Sequence, residues 1–178
     1  DYHGAPRSYQ WTNTSPIGKI WDQMSLARQY GADRIWIVNV GHFKGYEYPL
    51  SFFMDMAWAP ERFSGSNLGE WTTSWAERLF GSTEAAETAD ILSKCAQWNG
   101  RRKPELLSTG TWNLTDYREA ERVLALWSAL EARAQKVYGR LPEAARDAFY
   151  ELVLFPGKTS RILNEMYIRA GRNILWSK

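Results

Sequence analysis

The stretch Gly31 to Gly41, GADRIWIVNVG, constrains this chain more than any other. Ile35, Trp36, Ile37, Val38 and Val40 form an apolar run broken only by Asn39. Consecutive apolar residues of this β-branched and aromatic kind predict a strand over Arg34 to Val40, covered on both faces as in a parallel sheet. The rest of the sequence reads as helix. A lone strand has no partners, so the chain is expected to carry only the last part of a sheet whose other strands lie elsewhere. In parallel α/β folds ligands bind at the C-terminal strand ends, which places Asn39 and the following loop on a ligand-facing rim.

The segments around the strand fit that reading. Asp1 to Thr14, DYHGAPRSYQWTNT, is a loop dense in residue types that line binding sites. A helix is predicted from Pro16 to Tyr30, with Ser15 as cap and Ile17, Ile20, Trp21, Met24 and Ala27 on one face. Loop, helix and strand in that order match one α/β repeat, with Asp1 to Arg7 and Asn39 to Glu47 sharing a rim. After the loop GHFKGYEY, a helix from Pro49 to Trp58 turns Leu50, Phe53, Met54, Ala57 and Trp58 inward and stops at Pro60.

The segment PERFSGSN, Pro60 to Asn67, is the predicted domain boundary. Five helices are expected beyond it: 68–80, 83–98, 116–138, 142–155 and 158–170. Their apolar positions recur at helical spacing: Ala85, Ala89, Leu92 and Ala96 in the second, Tyr117, Ala120, Val123, Leu124, Trp127, Leu130, Ala134 and Val137 in the third, and Ile162, Leu163, Met166 and Tyr167 in the last; Asp116 with Glu119 reads as a capping box for the longest. Short connections between them imply a bundle. The fold class is therefore mostly α: residues 1–60 the C-terminal piece of a (β/α)8 TIM-type barrel, residues 61–178 a bundle of about five helices.

Composition excludes more than it selects. With 178 residues, 44% hydrophobic, 24% charged and a net charge of +2, the chain is an ordinary globular sequence. No basic run interleaves with aromatics, so nucleic acid is not an expected partner. No apolar stretch approaches 18 residues, so no membrane partner is expected. The single cysteine, Cys95, cannot form an internal disulfide. His3 and His42 lack the ligand spacing of a metal site. Ten tryptophans are mostly core at helical spacing, although aromatic surfaces also suit the C–H faces of sugars. The sequence begins at Asp1, directly on a motif-like segment, and is expected to be a piece of a longer protein.

Among the carboxylates before residue 60, Asp33 precedes the strand and Asp55 sits within a helix. Asp1 and Glu47 are placed for ligand contact. Two carboxylates flanking a sugar would suit glycoside hydrolysis. A non-catalytic helical interaction or scaffold module is the alternative, opposed by a buried strand that lacks its neighbours.

Longer motifs narrow the choice. DYHG-x-PR-x-Y-x-W-x-NT at Asp1 to Thr14 is followed by P-x-x-KIW-x-QM at Pro16 to Met24. YGADRIWIVNVG at Tyr30 to Gly41 and FF-x-D-x-AW-x-P at Phe52 to Pro60 come next. ADILSK at Ala89 to Lys94, NGRRKPELL at Asn99 to Leu107, YREAERV at Tyr117 to Val123 and RDAFYELVL-x-P at Arg146 to Pro156 complete the series. Together they resemble glycoside hydrolase family 115, the xylan α-1,2-glucuronidases. The resemblance implies a catalytic barrel followed by a helical domain, removal of 4-O-methyl-glucuronic acid from glucuronoxylan or aldouronic acids with inversion, no cofactor, a homodimer, and a secreted or periplasmic enzyme. It implies that the general acid lies upstream of Asp1, so these residues alone are inactive. It assigns sugar contacts to Tyr2, His3, Arg7 and Tyr9, with Asn39 and Glu47 beside them. Arg7 is the first candidate for the uronate carboxylate, because a guanidinium offers two parallel donors. His3 suits a hydroxyl. Two departures stand out. Ala5 replaces a second glycine, and GHFKGYE replaces the family's GD-x-KP-x-E, with His42 for an acid and Gly45 for a proline that would have stiffened the loop.

Overall fold

The computed structural model describes residues 12–40 and 43–177. Helices make up most of them, and no strand occurs among the described residues. Seven α-helices follow in order: α1 Ile17–Gln29, α2 Glu47–Trp58, α3 Leu68–Phe80, α4 Ser82–Arg101, α5 Glu119–Arg140, α6 Glu143–Phe149 and α7 Phe155–Trp176. The chain forms two compact units, Asp1–Gly100 and Arg101–Lys178.

The predicted strand is not formed. Arg34 to Val40 belongs to no helix or ladder, and Ile35 and Ile37 are 77% and 87% exposed. The physical reason lies in the pairing. A strand exists through hydrogen bonds to neighbours, and none of the described residues supplies one. The segment is tethered by Trp36, whose ring lies 6.2 Å from that of Phe53 on α2 and whose Nε1 donates to the Ala32 carbonyl at 2.5 Å. The barrel end expected for residues 1–60 is thus not visible in the described chain, whereas its helices are.

In the first unit α1 starts one residue later than predicted. Pro16 is its cap, in extended geometry (φ −63°, ψ 136°), and its carbonyl accepts the first helical bonds. Ser15 does not cap with its side chain; its N–H is held instead by Asn13 Oδ1 at 2.8 Å. The core is aromatic. Phe52, fully buried, meets Phe63 and Trp71 edge-on at 5.2 and 5.0 Å. Tyr48 meets Trp75 at 5.3 Å. The hydroxyl of Tyr48 donates to Thr72 Oγ1 at 3.0 Å, because Thr72 spends its own proton on the Leu68 carbonyl. Burial is the main reason the Tyr48 phenol is pushed above its usual range.

This core corrects the predicted face of α2. Phe53 is buried as expected, but Tyr48, Pro49, Phe52 and Met56 accompany it, while Met54 and Trp58 are exposed. The helix begins at Glu47 and carries Pro49 in its first turn, where the missing N–H would have had no partner. In α4 the predicted inward residues Ala85, Ala89, Leu92 and Ala96 are all buried.

The second unit is built on α5 and α7. Glu131 pairs with Arg161, and Glu121 with Arg172. As α5 rises in number α7 falls, so the two run antiparallel. The start of α5 differs from the expected capping box. Asn113 Oδ1 accepts from the N–H groups of Thr115 and Asp116 at 2.9 and 2.7 Å, and Glu119 Oε2 accepts from the Asn113 N–H at 2.7 Å. Tyr117 is therefore exposed, not core, and both it and Arg118 take φ 54°. The predicted break at Pro156-Gly157 is also absent. A π-helical turn, Tyr150–Leu154, joins α6 to α7 without interruption. Proline lacks an N–H and its ring crowds the carbonyl four residues back, and a widened turn relieves both.

Candidate functional site

The candidate rim is anchored by Tyr46. This residue precedes α2, is 1% exposed, and donates its hydroxyl to the backbone carbonyl of Thr12 at 3.2 Å. One hydrogen bond thus fastens the end of the DYHG-bearing segment to the loop that leads into Glu47. A turn sets the loop up: the Tyr46 N–H donates to the Phe43 carbonyl at 3.0 Å, and Gly45 takes φ 80°. At that angle a proline cannot sit, since its ring fixes φ near −65°. The turn at Gly45 thus excludes proline.

Glu47 opens α2 as its first residue, where the unpaired helix N–H groups favour an acid. The residue is half-buried, and its Oε2 is shielded from solvent without a hydrogen-bond partner among the described residues. A buried carboxylate oxygen without a donor is costly, which makes Glu47 a candidate acceptor. Asn39 is exposed and lies on the irregular segment that replaces the strand. Asp33 is exposed beside Arg34. Tyr2, His3, Arg7 and Tyr9, with Asp1, Ala5 and His42, lie outside the described residues. The structure thus brings Thr12, Tyr46 and Glu47 to one place and leaves Asn39 on the surface nearby in sequence.

One acid was missed by the sequence reading. Glu105, in NGRRKPELL, buries both carboxylate oxygens without a hydrogen-bond partner among the described residues. The acid in a basic motif was the available signal. Asp55 accepts from the Trp71 indole N–H at 2.8 Å, which makes it a fixed acceptor at the surface. No group of three or more His, Cys, Asp or Glu suited to a metal ion occurs among the described residues. No helix among them is long and apolar enough to cross a membrane.

What the described arrangement offers chemically is a carboxylate acceptor at Glu47, next in sequence to the fastened Tyr46. No curated protein matches the sequence. A solved structure, described as that of the family GH115 4-O-methyl-α-glucuronidase BtGH115A with specificity for decorated arabinogalactans, superposes with a TM-score of 0.84 at 27% identity. The match covers 95% of this chain and 24% of that one, so the chain spans about a quarter of its length. Residues 1–106 match the sequence model of Glycosyl hydrolase family 115, and the chain belongs to that family.

Proposed function

We propose that the chain is part of an inverting glycosidase that releases glucuronic acid or its 4-O-methyl ether from a decorated polysaccharide, glucuronoxylan in the first instance. Residues 1–60 are read as the last segment of its barrel and residues 61–178 as the following helical domain. Arg7 takes the uronate carboxylate with its two parallel donors. His3, Tyr2 and Tyr9 hold ring hydroxyls, and Asn39 and Glu47 complete the rim. The general acid comes from a part of the enzyme that precedes these residues. Inversion needs two carboxyl groups about 6.5–9.5 Å apart, with room for the attacking water between them.

The observation that carries this reading is the Tyr46–Thr12 hydrogen bond. It ties Thr12, near the end of the Asp1 to Thr14 motif, to the residue before α2, next to a carboxylate oxygen with no hydrogen-bond partner among the described residues. A second substrate has a specific observation in its favour, since the superposed glucuronidase is described as specific for decorated arabinogalactans. The test is to incubate the full-length enzyme with glucuronoxylan and, separately, with glucuronate-decorated arabinogalactan, and to quantify free uronic acid. Release from glucuronoxylan supports the first substrate. Release from arabinogalactan alone moves the assignment to the second. Release from neither overturns the proposal.

A further inference from the structure

We propose that a pocket on the first unit, remote in sequence from the DYHG segment, is a second saccharide-binding site that takes a pyranose bearing a carboxylate. The pocket has a volume of about 520 Å³ and is lined by Asp55, Trp58, Arg62, Asn67, Trp71 and Arg78 among others. Small-ligand clefts fall in the range of about 300–1,000 Å³, so one or two sugar units fit.

Each wall has a definite chemistry. Trp58, the last residue of α2, is 89% exposed. A large indole left in water is unfavourable, and the C–H face of a pyranose is the surface that matches it. Trp71 is fixed between the rings of Phe52 and Tyr48, and its Nε1 holds Asp55 Oδ2 at 2.8 Å. Asp55 is thereby oriented, with its second oxygen open to a sugar hydroxyl. Arg62 ends a short 3-10 helix, Pro60–Arg62, and the turn after it is braced. Asn67 Nδ2 donates to the Arg62 carbonyl at 2.8 Å, and Asn67 Oδ1 accepts from the Ser64 N–H at 2.9 Å. The guanidinium groups of Arg62 and Arg78 are exposed, and neither makes an ion pair among the described residues although Asp55 and Glu70 line the same pocket. Two unpaired planar donors around an aromatic platform fit a carboxylate acceptor, with the two acids left to receive hydroxyl protons. Asp55, Trp58 and Pro60 all come from the FF-x-D-x-AW-x-P motif, which the proposed active-site rim does not use.

The test uses the full-length enzyme in native gels cast with glucuronoxylan, and in parallel gels cast with the same polymer after its carboxyl groups are reduced to alcohols. Trp58→Ala and the double variant Arg62→Gln/Arg78→Gln are compared with the parent. Each is expected to lose about tenfold in affinity for glucuronoxylan, the scale of a lost hydrogen bond to a charged group. Turnover of a short aldouronic acid is expected to be unchanged in both. Equal retardation of parent and variants overturns the site. So does equal retardation of the parent by the reduced polymer, which would remove the carboxylate from the ligand. A fall in turnover of the short substrate alongside retardation would make the pocket part of the active site, again against the proposal. A lowered unfolding temperature with unchanged retardation would make Trp58 a packing residue and also overturn it. The glycosidase reading fails on a different result, the absence of uronic acid release, which leaves this binding assay standing.

Discussion

Gly171 on α7 lies so close to Thr109 that a Cβ built on it would come within 2.5 Å of the Thr109 carbonyl oxygen and 3.0 Å of Leu114 Cδ1. The obstacle is backbone, which cannot rotate out of the way. Gly171→Ala is therefore expected to destabilise the second unit by about 1–3 kcal/mol, the usual cost of overpacking. Gly139, on α5, has nothing within 4 Å of its would-be Cβ. Gly139→Ala should instead stabilise by up to about 1 kcal/mol through helix propensity. Urea denaturation of the two variants checks the pair, and opposite signs are the required result.

Tyr46→Phe removes the hydroxyl that holds the Thr12 carbonyl in a buried place. Leaving that carbonyl unpaired should cost about 1–3 kcal/mol. If the bond also holds the rim together, uronic acid release should fall with KM rising more than kcat. A variant that loses stability while keeping its kinetics would reduce Tyr46 to a core residue.

The acid side of the stability profile should carry the mark of Glu165. Its carboxyl is held below the usual range, first by the hydrogen bond from Arg169 and further by the charges of Arg169 and Arg161. A depressed folded-state pKa stabilises the protein above the unfolded value, near 4.5, and that contribution disappears as pH falls through the lower folded value. Glu165→Gln should thus lower the melting temperature at pH 7 and leave it unchanged near pH 2. A constant difference at both pH values would show that the effect is packing and not charge.

Cys95 is buried on α4, and burial pushes its thiol up to about 12. Thiolate is the reactive form, so iodoacetamide at pH 8 should leave the native protein unlabelled and label it fully in 6 M guanidinium. Rapid labelling of the folded protein would contradict the packing of α4.

Much of this molecule was legible in advance because helices carry their instructions locally. The inward stripe of α4 and most of α5, from Ala120 through Val137, follow from spacing alone. The faces of α2 and α7 do not. On α2 the exposed Met54 and Trp58 are as apolar as the buried Phe52 and Met56, so hydropathy has no phase to offer. On α7 the buried face includes Ser160, Asn164 and Gly171, while Ile162 and Met166 lie outside. The segment before α5 approaches Gly171 closely at Thr109 and Leu114, and Asn164 is satisfied by the Trp112 indole at 2.7 Å and by the Ser160 carbonyl at 2.8 Å. Those partners are 52 and 4 residues away, and the distant one cannot be read from a window of sequence. The strand failed for a related reason. Its apolar run describes a burial that these described residues do not provide. Glu47 is a candidate from sequence, but the fastening of its neighbour Tyr46 depends on a contact across 34 residues.

The π-helical turn at Tyr150–Leu154 has a geometric consequence for everything after it. One extra residue in a turn advances the helix by about 100° relative to an uninterrupted α-helix. Deleting a single residue there would restore ordinary winding and yet rotate the following helix about its own axis. Arg161 would swing away from Glu131 and Asn164 from Trp112 together. The orientation of a helix of 22 residues is thus set by one residue that belongs to neither of the helices it joins.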